Sequence, residues 1–277
     1  EIFLRMYSPI TPDNLTAAAL PVVYIDIEMQ NRSCWEVDVA GALFWPNQLG
    51  WRQPRDTSES ETVCSWPARG NYGNINLPAD RPCGAAFSST AVRQTRTPEL
   101  PVRRDIEGEV LIAAYTSESE AIVSREITYK TEANGTGVPP AEQPFTFPWA
   151  LACFSREGRF LQREESWPAR CHEGIGSAVA IRTKLEPGGD RHGDQCTSVE
   201  GPERSAARLH FLLVHDLPLV EFGGGRVWKR AYCDQFGSTG RNSEEIAAAA
   251  LTGKDNWLSS IVEWQRSIER GALINDL

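Results

Sequence analysis

Asp216 and Glu221 bracket the point where the sequence changes from a strand-like to a helix-like pattern, and two carboxyl groups are the equipment of acid–base hydrolysis. Such a pair cleaves a glycosidic bond when held about 5 to 5.5 Å apart with retention, or about 6.5 to 9.5 Å apart with inversion. The plainer role for both residues is capping or pairing inside the fold. Cys171-His172 with His192-x3-Cys196 offers the thiolate and imidazole ligands that zinc prefers, but adjacent Cys171 and His172 suit a tetrahedral site poorly. Buried thiols and loop histidines are the expected reading. Phe222-Gly223-Gly224-Gly225-Arg226 could turn backbone N–H groups toward an anion at a helix start. A permissive backbone where a buried strand becomes a helix explains the same glycines. The four histidines, His172, His192, His210 and His215, sit in no nucleophile motif. By parity His210 and His215 face opposite sides of one strand and are expected to be satisfied there. No catalytic, metal or cofactor role is assigned to any residue.

The elements that would position these groups begin as an antiparallel sheet. Val23 to Met29 alternates apolar with polar residues, Asn31-Arg32-Ser33 turns the chain, and Trp35 to Val39 repeats the alternation, which predicts a hairpin over residues 22–44. Pro46 to Pro101 reads as turn chemistry. Val110 to Tyr115 and Ala121 to Tyr129 read as a second hairpin, and Pro139-Pro140 and Pro144 to Pro148 break the pattern after it. Ser177 to Thr183 and Arg208 to Val214 are further strands on either side of the Glu186 to Asp190 turn; the latter is apolar on both faces, hence buried between layers. After Asp216 the period becomes helical: Val227 to Phe236 with Trp228, Ala231, Tyr232 and Phe236 on one face and Gly237 at its end, then Ser243 to Leu251 capped by Asn242 with Glu245. A third helix starts near Asp255 or Asn256, with Trp257, Ile261, Trp264 and Ile268 on one stripe. Strands followed by helices give a mainly β fold: an antiparallel β-sandwich over 1–221 and connector helices over 222–277.

Composition narrows the partners. A net charge of −9, from 28 basic and 37 acidic residues, argues against nucleic acid, whose phosphates require a basic face. No apolar run approaches the roughly 18 to 20 residues of a membrane span. Seven cysteines, an odd number without a CxxC pair, read as reduced structural thiols. Three sequons, at Asn14, Asn31 and Asn134, carry meaning only in a secreted eukaryotic protein. The cytoplasm is favoured over secretion. The absence of an initiator Met before Ile2-Phe3-Leu4 suggests numbering that begins inside a longer polypeptide.

The tail carries a resemblance. Phe211-Leu212-Leu213-Val214-His215-Asp216-Leu217-Pro218-Leu219-Val220-Glu221-Phe222 running through Gly223-Gly224-Gly225-Arg226-Val227-Trp228-Lys229-Arg230-Ala231-Tyr232, then Phe236-Gly237 and Gly240-Arg241-Asn242, resembles the junction of glycoside hydrolase family 116. The spacing of Trp257 and Trp264-Gln265 is similar, and Tyr7 to Asp13 with Leu20-Pro21-Val22 resembles the family's early sandwich strands. That family includes β-glucosidases and non-lysosomal glucosylceramidases. The resemblance implies an amino-terminal sandwich, a helical connector and an (α/α)6 barrel that holds the catalytic Glu nucleophile and Asp acid. The barrel should begin near Leu277, so neither catalytic role falls within this chain, and the family's glycine-rich segment ahead of the first strands is missing. His215, where the family commonly has an aromatic residue, and the cysteine-bearing insertions depart from the pattern.

The chain is therefore expected to be the non-catalytic part of an exo-acting, β-glucosidase-like enzyme, steadying the barrel and bordering its carbohydrate cleft. Asp216, Phe222, Trp228, Tyr232, Phe236, Trp257 and Trp264 are the expected docking residues for the barrel, whether it is a domain or a separate subunit. The alternative is a stand-alone carbohydrate-binding or structural accessory subunit using Trp51, Trp66 or Trp149.

Overall fold

The structure, a computed structural model, describes residues 1–46, 67–69, 88–96, 108–118, 120–128, 147–160, 168–170, 176–192, 195–198, 205–222 and 226–275. In chain order its elements are β1 (Ile2–Tyr7), α1 (Leu15–Ala18), β2 (Val22–Gln30), β3 (Val37–Pro46), β4 (Pro67–Arg69), β5 (Ser88–Arg96), β6 (Gly108–Thr116), β7 (Ile122–Thr128), α2 (Phe147–Glu157), β8 (Pro168–Arg170), β9 (Gly176–Leu185), β10 (Gly189–His192), β11 (Gln195–Ser198), β12 (Ala206–Asp216), β13 (Leu219–Phe222), β14 (Arg226–Lys229), α3 (Cys233–Phe236) and α4 (Ser243–Asn275). A five-stranded sheet, β1-β2-β12-β6-β5, packs on a three-stranded sheet, β3-β9-β7, and every pairing in them is antiparallel. The fold is mainly β with a carboxy-terminal helix, as the alternation implied.

Both expected hairpins are something else. β2 pairs with β1 and β12 whereas β3 pairs with β9, and β6 pairs with β5 and β12 whereas β7 pairs with β9. Each short connection crosses from one sheet to the other. Alternation fixes which side of a strand is apolar, and two such sides can lie together on one sheet or face each other across a sandwich, so the same pattern serves both. At the first crossing Asn31 decides the outcome. Its buried Nδ2 donates to the carbonyls of Trp35 at 2.7 Å and Glu186 at 2.9 Å, and its Oδ1 accepts from the Ser33 N–H at 2.9 Å. That amide ties the crossing to the turn after β9, where Gly188 must be glycine because a Cβ would overlap the Asn31 carbonyl.

The sandwich core confirms the double burial of β12. Leu209, Phe211 and Leu213 face Val179 and Ile181 of the opposing sheet, and Leu212 and Val214 face the other way, toward α4. Gly41 of β3 lets the layers close, since a Cβ there would sit 3.0 Å from Leu209 Cδ1. On the outer face of the three-stranded sheet, Phe44, Phe154 and Phe160 pack edge-to-face and tilted over Ala178 and Ala180, which seats α2. Among the elements outside the sequence expectations are β5, inside the stretch read as turns, and α2, which begins within the Pro144 to Pro148 break. Ser-Ser-Thr-Ala-Val-Arg-Gln-Thr-Arg has no large apolar residue except one valine, so β5 gives no amphipathic signal.

The tail differs most. Arg226–Lys229 is a strand and not helix: it pairs with β13 across Gly223-Gly224-Gly225, so these glycines link two strands of a hairpin. Helix is confined to one turn, α3, closed by Gly237 at φ +84°, and to the 33-residue α4. The helices expected separately at Ser243 and near Asp255 are one. Gly253 does not end it, because the missing side chain is the space in which the Trp257 indole lies. No helix among the described residues is long and apolar enough to cross a membrane.

Candidate functional site

Helix α4 lies on the face of the five-stranded sheet opposite the sandwich core, and its apolar side, Ile246, Ala247, Ala250 and Leu251, covers Val22, Tyr24, Leu111, Ala113, Leu212 and Val214. Two polar clusters fix its position. The first is built on a row of directly opposed residues, Asp26 on β2, His210 on β12 and Tyr115 on β6. Lys254 descends onto that row from α4 and is almost wholly buried. Its Nζ donates to Asp26 Oδ1 at 2.6 Å, lies 3.0 Å from His210 Nδ1 and stands 5.3 Å from the centre of the Tyr115 ring. His210 Nδ1 is 2.6 Å from the same carboxylate oxygen, the Tyr7 hydroxyl donates to Asp26 Oδ2 at 3.1 Å, and Tyr115 stacks on the His210 ring. Tyr24, stacked on Tyr7, donates its hydroxyl to the Ala250 carbonyl at 2.7 Å.

Burial alone would raise the Asp26 pKa, but the His210 bond and the Lys254 charge outweigh it and hold the carboxyl at about 2. Burial, with the Asp26 charge and hydrogen bond beside it, pushes the Tyr7 phenol far above its ordinary range, and burial does the same for Tyr24. The aspartate is thus a carboxylate with both oxygens occupied and a lysine cation against it. It is a staple between helix and sheet, not a group awaiting a substrate proton.

The second cluster stands where α4 begins. Asp216 and Glu109 are opposed across the β12–β6 ladder, and both carboxylates are turned to the helix start. Asp216 Oδ2 accepts the Asn242 N–H at 2.6 Å and Oδ1 accepts the Tyr232 hydroxyl at 2.9 Å; Glu109 Oε2 accepts the Ser243 hydroxyl at 2.6 Å. Negative charge at a helix N-terminus satisfies otherwise unpaired N–H groups and complements the helix dipole, an effect of about 0.5 to 2 kcal/mol. Burial raises the Asp216 pKa against the opposing pull of its two hydrogen bonds, and burial together with Asp216 drives the Tyr232 phenol strongly upward. The capping role expected for Asp216 is the one it has, although the capped end is reached across the sheet. Asn242 Oδ1 itself accepts from the Thr239 hydroxyl at 3.3 Å.

The other singled-out residues are spread out. His210 and His215 do lie on opposite faces: His210 under α4, and His215 edge-on to Trp45 on the sandwich side, its pKa lowered by burial and by Arg230. Tyr232 is buried, and Phe236 and Trp257 pack against the same core. Trp228 is 60% exposed and Trp264 37%. Phe222 ends β13 opposite Arg226. The side chains of Phe222 and Glu221 lie outside the described residues, as do Cys171, His172, Trp51, Trp66, Asn134 and the side chains of Trp149, His192 and Cys196. The Asp26–His210–Lys254 cluster was not anticipated from sequence. Asp26 and His210 are 184 residues apart, and only the β2–β12 register makes them neighbours.

The comparison with known families bears on the whole of this architecture. The family model described as beta-glucosidase 2, glycosyl-hydrolase family 116 N-terminal, matches residues 1–257, which take in both sheets and the half of α4 that rests on them. A match over so much of the chain, on a sandwich capped by a long helix where the tail resemblance placed the junction, shows that the protein belongs to glycosyl hydrolase family 116 and represents its amino-terminal domain.

Proposed function

We propose that this domain is the non-catalytic part of an exo-acting, β-glucosidase-like hydrolase, and that it seats an (α/α)6 barrel whose own Glu and Asp cleave the β-glycosidic bond. The observation that carries the reading is the apolar stripe of α4. Ile246, Ala247, Ala250, Leu251 and Trp257 set its first half on the sheet core and Ile261 is still buried, but Trp264 and Ile268 continue the same stripe with 37% and 53% of their surface exposed. Every residue from Glu263 to Arg270 is exposed. A helix of 33 residues is about 50 Å long, and the far end of this one leaves the sandwich with two large apolar side chains one turn apart. Burying each against a helical partner is worth about 1.5 to 3 kcal/mol. The exposed Trp228 on the β13–β14 hairpin, with Phe222 at its turn end, supplies a second docking point, and the loops near it border the carbohydrate cleft.

The acidic residues favour a supporting role. Asp26, Asp216 and Glu109 each hold α4 with their carboxylates already engaged. The test is hydrolysis of an aryl β-glucoside. The full-length enzyme is expected to turn it over, and Trp264→Ser with Ile268→Ser is expected to lower its thermal midpoint. Turnover by residues 1–277 alone at a rate per mole close to that of the full enzyme would place catalysis in this domain and refute the proposal.

A further inference from the structure

We infer that the groove between β1 and the far half of α4 is a binding site for a soluble phosphate monoester, held by Arg5, Arg266 and Arg270. The register puts Arg5 opposite Asp26, on the face of the five-stranded sheet where α4 lies. Arg266 and Arg270 follow one turn apart on the helix, and the three side chains line a single groove of about 570 Å3. Leu258 and Val262, both half-buried, give it an apolar lining. What distinguishes these arginines is that they gather without a counter-charge. Arg93 has Glu244 at 2.8 Å, Arg182 has Asp38 at 3.1 Å and Arg208 has Glu28 at 3.4 Å. Among the described residues the side chains of Arg5, Arg266 and Arg270 make no ion pair or hydrogen bond, although the chain as a whole carries a net charge of −9. Glu263 is the one acidic residue lining the groove, so three positive charges against one negative leave a surplus of two. Arg266 and Arg270 also repel each other, since like charges four residues apart destabilise a helix. An anion seated among them removes that repulsion.

The donors and their charge select the ligand. Guanidinium groups bind oxyanions through paired N–H donors. Donors arriving from a strand and from two turns of a helix suit a tetrahedral group with several acceptor oxygens better than a planar carboxylate, which one arginine can satisfy. A phosphate monoester carries about −1.5 to −2 at neutral pH, which matches the surplus. Leu258 and Val262 can take its organic part, and the volume lies within the range of small-molecule sites, about 300 to 1,000 Å3. A phosphate headgroup held in a bilayer fits less well. Arg266 and Arg270 lie about 200° around the helix from Trp264 and Ile268, so the apolar stripe and the basic groove cannot enter one membrane surface together. The acidic chain is moreover repelled by an anionic surface. The same separation leaves the groove open when Trp264 and Ile268 are covered, and the site, built from β1 and α4 alone, does not depend on the glycosidase reading.

Calorimetric titration of the full-length enzyme with phenyl phosphate at constant ionic strength tests the assignment. Saturable binding is expected, and Arg266→Gln or Arg270→Gln should weaken it about tenfold or more, the loss of a charge-assisted hydrogen bond. Arg159→Gln, which removes an exposed arginine beyond the end of α2, should leave it unchanged. Failure to saturate, binding of acetate as tight as that of phenyl phosphate, or binding that neither groove variant weakens overturns the inference. So does cosedimentation with phosphatidic acid vesicles that the groove variants abolish, when phenyl phosphate itself does not bind: the groove would then be a membrane site. Aryl β-glucoside hydrolysis by the same preparation keeps the two claims apart. Activity without phenyl phosphate binding sinks the groove alone, and inactivity with Arg266-dependent binding sinks the glycosidase reading alone.

Discussion

Replacing Asp26 by asparagine should be among the most damaging single changes in the domain, and the structure sets its size. In the native fold the carboxylate binds Lys254 and His210 through one oxygen and Tyr7 through the other. Asp26→Asn would leave the Lys254 cation buried without its counter-charge. Removing one partner of a buried pair costs about 3 to 5 kcal/mol, and the lower end applies because Asp26 retains 16% side-chain exposure. Lys254→Met should also destabilise, and the double substitution Asp26→Asn with Lys254→Met should recover part of the loss, giving a coupling energy of about 2 kcal/mol. The pH dependence is a second, independent signature. The folded carboxyl sits at about 2 against an ordinary 3.8, so its contribution is complete above pH 3.8 and is lost as pH falls through 2. That shift is worth about 2 kcal/mol. Urea unfolding followed by tryptophan fluorescence, for wild type and Asp26→Asn between pH 2 and 5, measures both. The difference between the two proteins should shrink by about 2 kcal/mol toward the acid end. A loss below about 1 kcal/mol at pH 7, with parallel acid limbs for the two proteins, would show that the cluster does not hold α4.

Other changes test the remaining packing. Gly253→Ala improves intrinsic helix propensity by about 1 kcal/mol, yet it should destabilise by about 1 to 3 kcal/mol because the new methyl overlaps the Trp257 ring; a raised thermal midpoint would contradict that packing. Asn31→Ala removes the amide that holds the first sheet crossing and should cost about 2 to 3 kcal/mol in urea unfolding. Of the two described sequons, Asn14 is exposed and uses only its Oδ1, to cap α1, whereas Asn31 has its Nδ2 bonded inside the fold. Secretion from eukaryotic cells followed by peptide mapping should therefore find glycan on folded protein at Asn14 and none at Asn31. Asp216→Ala should lower stability by about 1 to 2 kcal/mol and speed hydrogen exchange in the first turn of α4, the part it caps.

Local chemistry was legible in the order of residues. Alternation located β2, an apolar run located β12, parity set His210 and His215 on opposite faces, the start of α4 at Ser243 was readable from Asn242, and the wording from Phe211 to Asn242 pointed to family 116. These are short-range properties, written in the spacing of residues along the chain. Which strand neighbours which was not written there. The turns after Gln30 and Thr116 look the same whether the chain folds back within one sheet or crosses to the other, and the choice follows from burial that involves β9 and β12, far away in sequence. The same holds for the tail. Val227 to Phe236 has a helical stripe, but the pairing of Arg226–Lys229 with β13 overrides it, and Gly253 reads as a helix stop until the Trp257 ring occupies its vacant side. Asp26 and His210 carried no sequence signal as a pair, because their meeting depends on strand register and on a lysine that α4 lowers onto them from 228 residues beyond Asp26.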